Sequence, residues 1–413
     1  MQVPISSFGS RQEAVEIRVF SINSVPYGST GGIMFEVAGL VERAGGQALC
    51  ATGFPRKPFH GKNWIRIAGL PDHAFHALFS RVTGRHGCFS KRATKRLLKI
   101  IEDFSPDVIH LHNLHGWYIN LPMLFSFLKQ RGIPVVWTLH DCWSFTGQCP
   151  YFTVSGCEKW ITGCGGCSSF REYPAAYVDA TKRMWQRKKE WFIGVPNLTL
   201  VTPSHWLKGL VTQSFLKDYD CRVLPNGIDL AVFQPTESDF RRRHGLQDKF
   251  VVLSVAFGWD ERKGLDIMIE LAGLLPEQYQ IVLVGTNARV DRQLPDTILS
   301  LHRTFDKTEL AGLYTMADIF VNPTREDNYP TVNMEALACG TQVLTSGVGG
   351  SAEMIDDSCG SVVTELSAAA FAKEIRRLCE INPYAESACL AKAREFDQNN
   401  AYARYLQLFS ELL

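Results

Sequence analysis

Short runs rich in β-branched residues alternate with stretches whose apolar positions recur at helical spacing, almost from one end of the chain to the other. That alternation predicts parallel strands joined by helices on both faces of a sheet. The first unit is the plainest: a strand over Ile17–Asn23, a Gly-rich turn over Tyr27–Gly32 (YGSTGG), and a helix over Ile33–Ala44. Further strands are expected at Ala48–Thr52, Val108–His112, Val135–Leu139 and Leu198–Val201. Pro106, Pro134 and Pro196 each stand just ahead of one, where a missing N–H does no harm. A second series follows the turn signal Asn226-Gly227. Its strands fall at Val251–Val255, Ile281–Val284, Ile319–Asn322 and Gln342–Thr345, with helices at Lys263–Leu275, Lys307–Met316 and Thr331–Cys339. A final helix is expected from Glu395 to Leu413. The pattern divides the chain into two doubly wound α/β domains, residues 1–225 and 226–395, with 396–413 packing back towards the first. The facing carboxyl ends of the two sheets would leave a ligand cleft.

Charge adds a second division. The 413 residues carry 43 Lys plus Arg against 42 Asp plus Glu, a net charge of +1. Residues 1–225 hold 26 basic and 15 acidic residues, or +11, and the remainder 17 and 27, or −10. Such asymmetry between halves points to different partners for each. The opening stretch MQVPISSFGSRQ lacks a secretory signal pattern. The longest apolar stretch, Ile119 to Leu128, is interrupted by Asn120, Pro122 and Ser126 and is too short to span a bilayer. These features read as a cytoplasmic protein whose cysteines are thiols or metal ligands.

Three segments carry candidate chemistry, and all fall at the expected cleft. Gly31 and Gly32 stand between a strand and a helix start, where bare N–H groups and the helix dipole can meet a phosphate. The loop matches neither GxGxxG nor a P-loop, which argues against a dinucleotide oxidoreductase or a P-loop NTPase. Arg262 and Lys263 precede a helix and could neutralise a departing diphosphate. In EDNYPTVNMEALACG (326–340), Glu335 lies on a helix, eight residues after Asp327, and could accept two hydrogen bonds from a ribose diol. Asp327, Asn328 and Tyr329 precede that helix, where side chains and free N–H groups could meet sugar hydroxyls.

The Gly-Gly pair, LPNGIDLAVFQP, the RKG triplet and DNYPTVNMEALACGTQV together resemble the retaining GT-B glycosyltransferases of family 4, with two Rossmann-like domains around a central cleft. HLHNLHGWYINLP (110–122) and TLHDCWSFTGQCPYF (138–152) are similar to the colanic-acid, exopolysaccharide and O-antigen type. The resemblance implies a nucleotide-sugar donor held by Gly31, Gly32, Arg262, Lys263, Glu326, Asn328, Tyr329, Thr331, Val332 and Glu335, with His140 and Asp327 at the reacting centre. It implies no cofactor for catalysis, and an acceptor that is a saccharide or lipid-linked saccharide. Two positions depart from the family pattern. Asp327, beside Glu326, replaces the first glutamate of Glu-x7-Glu, and Gly258 stands where an arginine is usual, so Arg262 takes that role. A GT-B epimerase and a non-catalytic nucleotide-sugar-binding protein are the alternatives.

Two features lie outside that set. Cys149, Cys157, Cys164 and Cys167 have a spacing that could close a structural zinc site, with free thiols, an iron–sulfur cluster or a redox pair as competing readings. Residues 81–99 carry seven Lys or Arg and no acid, and residues 181–191 add five more around two tryptophans. An anionic membrane surface is the expected partner of these cations, rather than nucleic acid.

Overall fold

A computed structural model describes residues 16–55, 57–302 and 306–413; the opening stretch 1–12 lies outside the described residues. Strands β1 (Arg18–Asn23), β2 (Gln47–Thr52), β3 (Trp64–Arg66), β4 (Val108–Leu111), β5 (Val135–Thr138), β6 (Leu198–Thr202) and β7 (Asp220–Val223) form one parallel sheet. Its order is β3-β2-β1-β4-β5-β6-β7. A second parallel sheet contains β8 (Phe250–Val255), β9 (Tyr279–Thr286), β10 (Ile298–His302), β11 (Ile319–Asn322), β12 (Val343–Ser346) and β13 (Gly360–Val363). It runs β10-β9-β8-β11-β12-β13. In each sheet the winding reverses next to the first strand, between β1 and β4 and between β8 and β11. Loops leaving neighbouring strands diverge there, opening a crevice at the carboxyl ends.

The interior strands are apolar because helices cover both their faces. Val19, Phe20 and Ile22 of β1 and Val251, Val252 and Leu253 of β8 are fully buried. One face of the first sheet packs on the helices Lys91–Phe104 and Leu121–Arg131. The other packs on Gly28–Arg43 and on the last helix, Gln398–Glu411, whose Tyr402, Tyr405, Leu408 and Phe409 are buried there. The chain thus returns to its first sheet after completing its second.

Two local expectations change. The expected turn over Tyr27–Gly32 is the start of the helix itself, which begins at Gly28. Residues Glu261–Lys263 form a separate 3-10 turn, and the following helix starts only at Leu265. Gly264 between them has φ +76°, and a Cβ there would lie 2.4 Å from the Pro323 carbonyl oxygen, so only glycine lets the two loops approach.

Candidate functional site

The loops leaving β1, β4, β8 and β11 all emerge at the two reversal points. After β1 the helix Gly28–Arg43 begins with no side-chain cap hydrogen bond among the described residues. Gly31 is buried against the Val25-Pro26 turn, where a Cβ would sit 2.6 Å from the Pro26 carbonyl carbon, while Gly32 is exposed. The uncapped amides and the helix dipole make this end receptive to negative charge.

After β8, Asp260 caps its turn by accepting from the Lys263 N–H at 2.9 Å. Lys263 pairs with Asp327, each side chain about one-fifth exposed. Arg262 donates to the Glu326 carbonyl at 3.1 Å and lies 4.3 Å over the ring of Tyr151. At Gly258, where the resemblance would place an arginine, a Cβ would meet open space. Thr331, Val332 and Glu335 are half-buried on the helix Thr331–Ala338. Glu335 Oε2 accepts from the Tyr314 hydroxyl at 2.9 Å, and burial pushes its pKa up, against hydrogen bonds from Tyr314 and Thr331.

The rest of the EDNY stretch joins the two halves. Glu326 is buried, and its carboxylate accepts from the N–H groups of Phe152 (3.0 Å), Thr153 (2.8 Å) and Val154 (3.4 Å). Its acceptor capacity is therefore turned towards the first half rather than towards a ligand. Asn328 Oδ1 accepts from the Ser204 hydroxyl at 2.6 Å, and its Nδ2 donates to the His140 carbonyl at 3.1 Å. Tyr329 is buried in the core of the second half. The geometry thus brings Lys263, Arg262, Asp327 and Glu335 to one side of the cleft. Glu326, Asn328 and Tyr329 serve the architecture around it.

On the opposite wall, His140 Nε2 lies 2.9 Å from His112 Nδ1, and burial lowers the His140 pKa to about 4. At neutral pH this imidazole is uncharged, so it offers a dipole and a lone pair rather than a cation. A second pair, absent from the sequence-derived set, stands beside it: His115 Nε2 meets Asp141 Oδ2 at 2.9 Å. Burial opposes charge on Asp141, yet its pKa is lowered because His115 and the Trp143 N–H favour the carboxylate. The HLHNLH and TLHD motifs place both residues just beyond adjacent strands, a signal the sequence contained.

Cys149, Cys157, Cys164 and Cys167 line one cavity of about 300 Å³, together with Tyr151, Phe152 and Trp160. Among the described residues no group of three or more His, Cys, Asp or Glu side chains is arranged as a metal site. Cys164 Sγ instead accepts from the Gly147 N–H at 3.1 Å. One cation of the 181–191 segment is also not on the surface: Lys188 is buried, bonded to the carbonyls of Trp143 (2.6 Å) and Thr146 (3.1 Å). No helix among the described residues is long and apolar enough to cross a membrane.

The chain matches two family models, Glycosyltransferase Family 4 over residues 39–232 and Glycosyl transferases group 1 over 249–380. It is 28% identical over 273 residues to WcaC of Escherichia coli (strain K12), a protein named for glycosyl transfer in colanic acid biosynthesis. That match spans 63% of this chain and 64% of the relative's length. Among solved structures, sucrose-phosphate synthase from Thermosynechococcus elongatus superposes with a TM-score of 0.70 at 18% identity, covering 96% of this chain and 99% of that one. HepE of Anabaena, solved with UDP and glucose, gives 0.65 at 14% identity, covering 96% and 100%. Two parallel sheets, with the two glycosyltransferase family models matched in order along them, give the chain the GT-B fold of these solved structures.

Proposed function

We propose that the protein transfers a sugar, with retained configuration, from a nucleotide-sugar donor to a saccharide acceptor carried on a lipid. The observation that carries this reading is that Lys263 and Arg262 follow β8 at one reversal point while an uncapped helix start follows β1 at the other. Both are sources of positive potential at the reversal points, suited to a diphosphate. The donor phosphates would displace Asp327 from Lys263, and Glu335 would accept from the ribose hydroxyls. The sugar C1–O bond to the diphosphate then breaks as the acceptor oxygen bonds to C1 on the same face. The acceptor's proton passes to the departing phosphate oxygen, and Lys263 and Arg262 stabilise the charge on it.

Thermal melts with UDP-, GDP- and dTDP-sugars test the reading, because a ligand bound only by the folded state raises its melting temperature. One of them should stabilise the wild type. Glu335→Ala should mainly weaken that binding, whereas Lys263→Ala should lower turnover by on the order of 10²–10³-fold. Unchanged binding and turnover in both variants would sink the assignment.

The lipid part rests on the surface of the first half. The helix Leu70–Thr83 exposes Leu70 (57%), Phe75 (51%), Leu78 (56%) and Val82 (47%), an unusual number of large apolar side chains for one solvent-facing helix. Beside it, Lys91, Arg92, Lys95, Arg96 and Lys99 are exposed on the helix Lys91–Phe104. Asp72 and Arg96 pair at 3.9 Å across the two helices. An apolar strip rimmed by cations suits an anionic bilayer surface. The chain should float with phosphatidylglycerol vesicles and not with phosphatidylcholine alone, and Phe75→Ser with Leu78→Ser should abolish flotation. Equal recovery with both lipids would count against the lipid reading.

A further inference from the structure

Three helices of the first half leave a groove between them. The helix Leu121–Arg131 packs on Lys91–Phe104 and on Thr181–Phe192, and the three line a space of about 900 Å³. That size falls within the roughly 300–1,000 Å³ usual for a small-molecule site. None of the residues placed around the donor lines it.

The lining is of two kinds. Leu98, Met123 and Trp191, one from each helix, give it half-buried apolar surface. Arg85, Lys91 and Arg187 give it three cations against a single carboxylate, that of Glu190. Among the described residues none of the three cations is ion-paired, whereas Arg96 and Lys99, on the same helix as Lys91, pair with Asp72 and Asp103.

The cations also converge. Arg187 Nη1 lies 3.9 Å from Cys88 Sγ, and Arg85 and Arg183 act on the same thiol. Burial nevertheless holds that thiol above its usual pKa, so at neutral pH it stays uncharged and cancels none of the positive charge around it. Cations gathered without an anion repel one another. A phosphate among them removes that repulsion and accepts charge-assisted hydrogen bonds from the guanidinium groups.

A phosphate alone would leave the apolar surface wet, and a chain alone would leave the cations unpaired. A ligand with both satisfies the whole lining. Its source is suggested by Phe89, which lines the groove and has its ring 6.2 Å from Phe75 and 5.8 Å from Phe79. Both are exposed on the helix Leu70–Thr83, so the groove is continuous with the apolar strip suited to a bilayer surface.

We infer that the groove binds one anionic phospholipid, its phosphate between Arg85 and Arg187 and an acyl chain along Leu98, Met123 and Trp191. The inference rests on the reading of the Leu70–Thr83 strip as a bilayer surface and adds to it a site that holds one lipid per chain. A zwitterionic lipid fits less well, because its own cation would sit among the three of the groove.

Dihexanoyl phosphatidylglycerol, below its micellar concentration, titrated into the full chain by calorimetry tests this, with dihexanoyl phosphatidylcholine and inorganic phosphate as comparisons. The wild type should bind one phosphatidylglycerol per chain, and the other two on the order of tenfold more weakly. Arg85→Gln with Arg187→Gln should weaken phosphatidylglycerol binding on the order of tenfold or more with the melting temperature unchanged. Met123→Glu, which sets a carboxylate on the apolar surface, should weaken it as well. Arg92→Gln with Lys95→Gln, at exposed cations outside the groove, should leave it unchanged. Undiminished binding by the groove variants, or equal affinity of the wild type for all three probes, would overturn the site. A wild type that floats with phosphatidylglycerol vesicles but binds no dihexanoyl lipid loses the groove alone, and one that fails to float loses the bilayer reading beneath it.

Discussion

Lys188 illustrates how a single buried charge can be read in two ways. In the sequence it belongs to a run of surface cations. In the structure its ammonium is fully buried, 3.4 Å over the Trp143 ring and bonded to two carbonyls that close the turn after Asp141. Loss of hydration lowers its pKa from 10.5 to about 7, with Cys149 and Cys164 pulling the other way. A lysine depressed on folding costs nothing above its unfolded pKa and costs progressively more as pH falls towards its folded one. The wild type should therefore gain stability relative to Lys188→Met as pH rises from about 7 to about 9.5, by on the order of 2–3 kcal/mol. Urea unfolding of both proteins at the two pH values measures this, and parallel pH profiles would show that Lys188 keeps an ordinary pKa.

At the scale of elements, backbone packs directly on backbone around the cleft. Gly350 donates to the Asp327 carbonyl at 3.1 Å, and a Cβ on it would lie 1.9 Å from the Asn328 carbonyl oxygen. Gly350→Ala must therefore push away the loop that carries Asp327 and Asn328. It should cost about 1–3 kcal/mol as overpacking and reduce turnover well beyond that loss of stability, because the Ser204–Asn328–His140 bridge shifts with the loop. Denaturation and kinetics on one preparation would separate the two effects; full activity in the folded variant would contradict the coupling. The same scale shows what the sequence made legible. Its nine expected strands correspond to β1, β2, β4, β5, β6, β8, β9, β11 and β12, all interior. The four that escaped, β3, β7, β10 and β13, are the two edges of each sheet. An interior parallel strand is buried on both faces and reads as a continuous apolar run, whereas β3 (WIR) and β7 (DCRV) are only partly buried and carry charge. Site legibility divides in a similar way. Lys263 and Glu335 announce themselves through local motifs, but the role of Glu326 depends on N–H groups 172 to 174 residues away, which no local pattern records.

For the whole molecule, the division of charge coincides with two sheets that are nonetheless tied together at several points. Glu353 of the second half accepts from the His205 and Trp206 N–H groups at 2.8 and 2.7 Å, at the start of a first-half helix that Ser204 also caps. The strongest tie is the return of the chain. After the bridge between Ile228 and Asp397, the helix Gln398–Glu411 crosses back to the first half. There Tyr402, Tyr405, Leu408 and Phe409 pack with Ile33, Met34, Val37 and Val41, and the Tyr405 hydroxyl reaches Thr138 at 3.2 Å. Burying a large apolar side chain contributes about 1.5–3 kcal/mol, so four of them contribute on the order of 6–12 kcal/mol as an upper estimate. That is comparable with the entire stability of an ordinary domain, about 5–15 kcal/mol. Ending the chain at residue 397 should therefore unfold the first half while leaving the second, whose cores do not include that helix. Limited proteolysis should then cut throughout residues 16–225 and spare a fragment from about residue 226 onward. Tyr405→Phe in the full chain provides the milder comparison, losing about 1 kcal/mol with the hydroxyl and remaining folded. A truncated chain that resists protease in both halves would mean that the returning helix decorates the first sheet rather than completing its core.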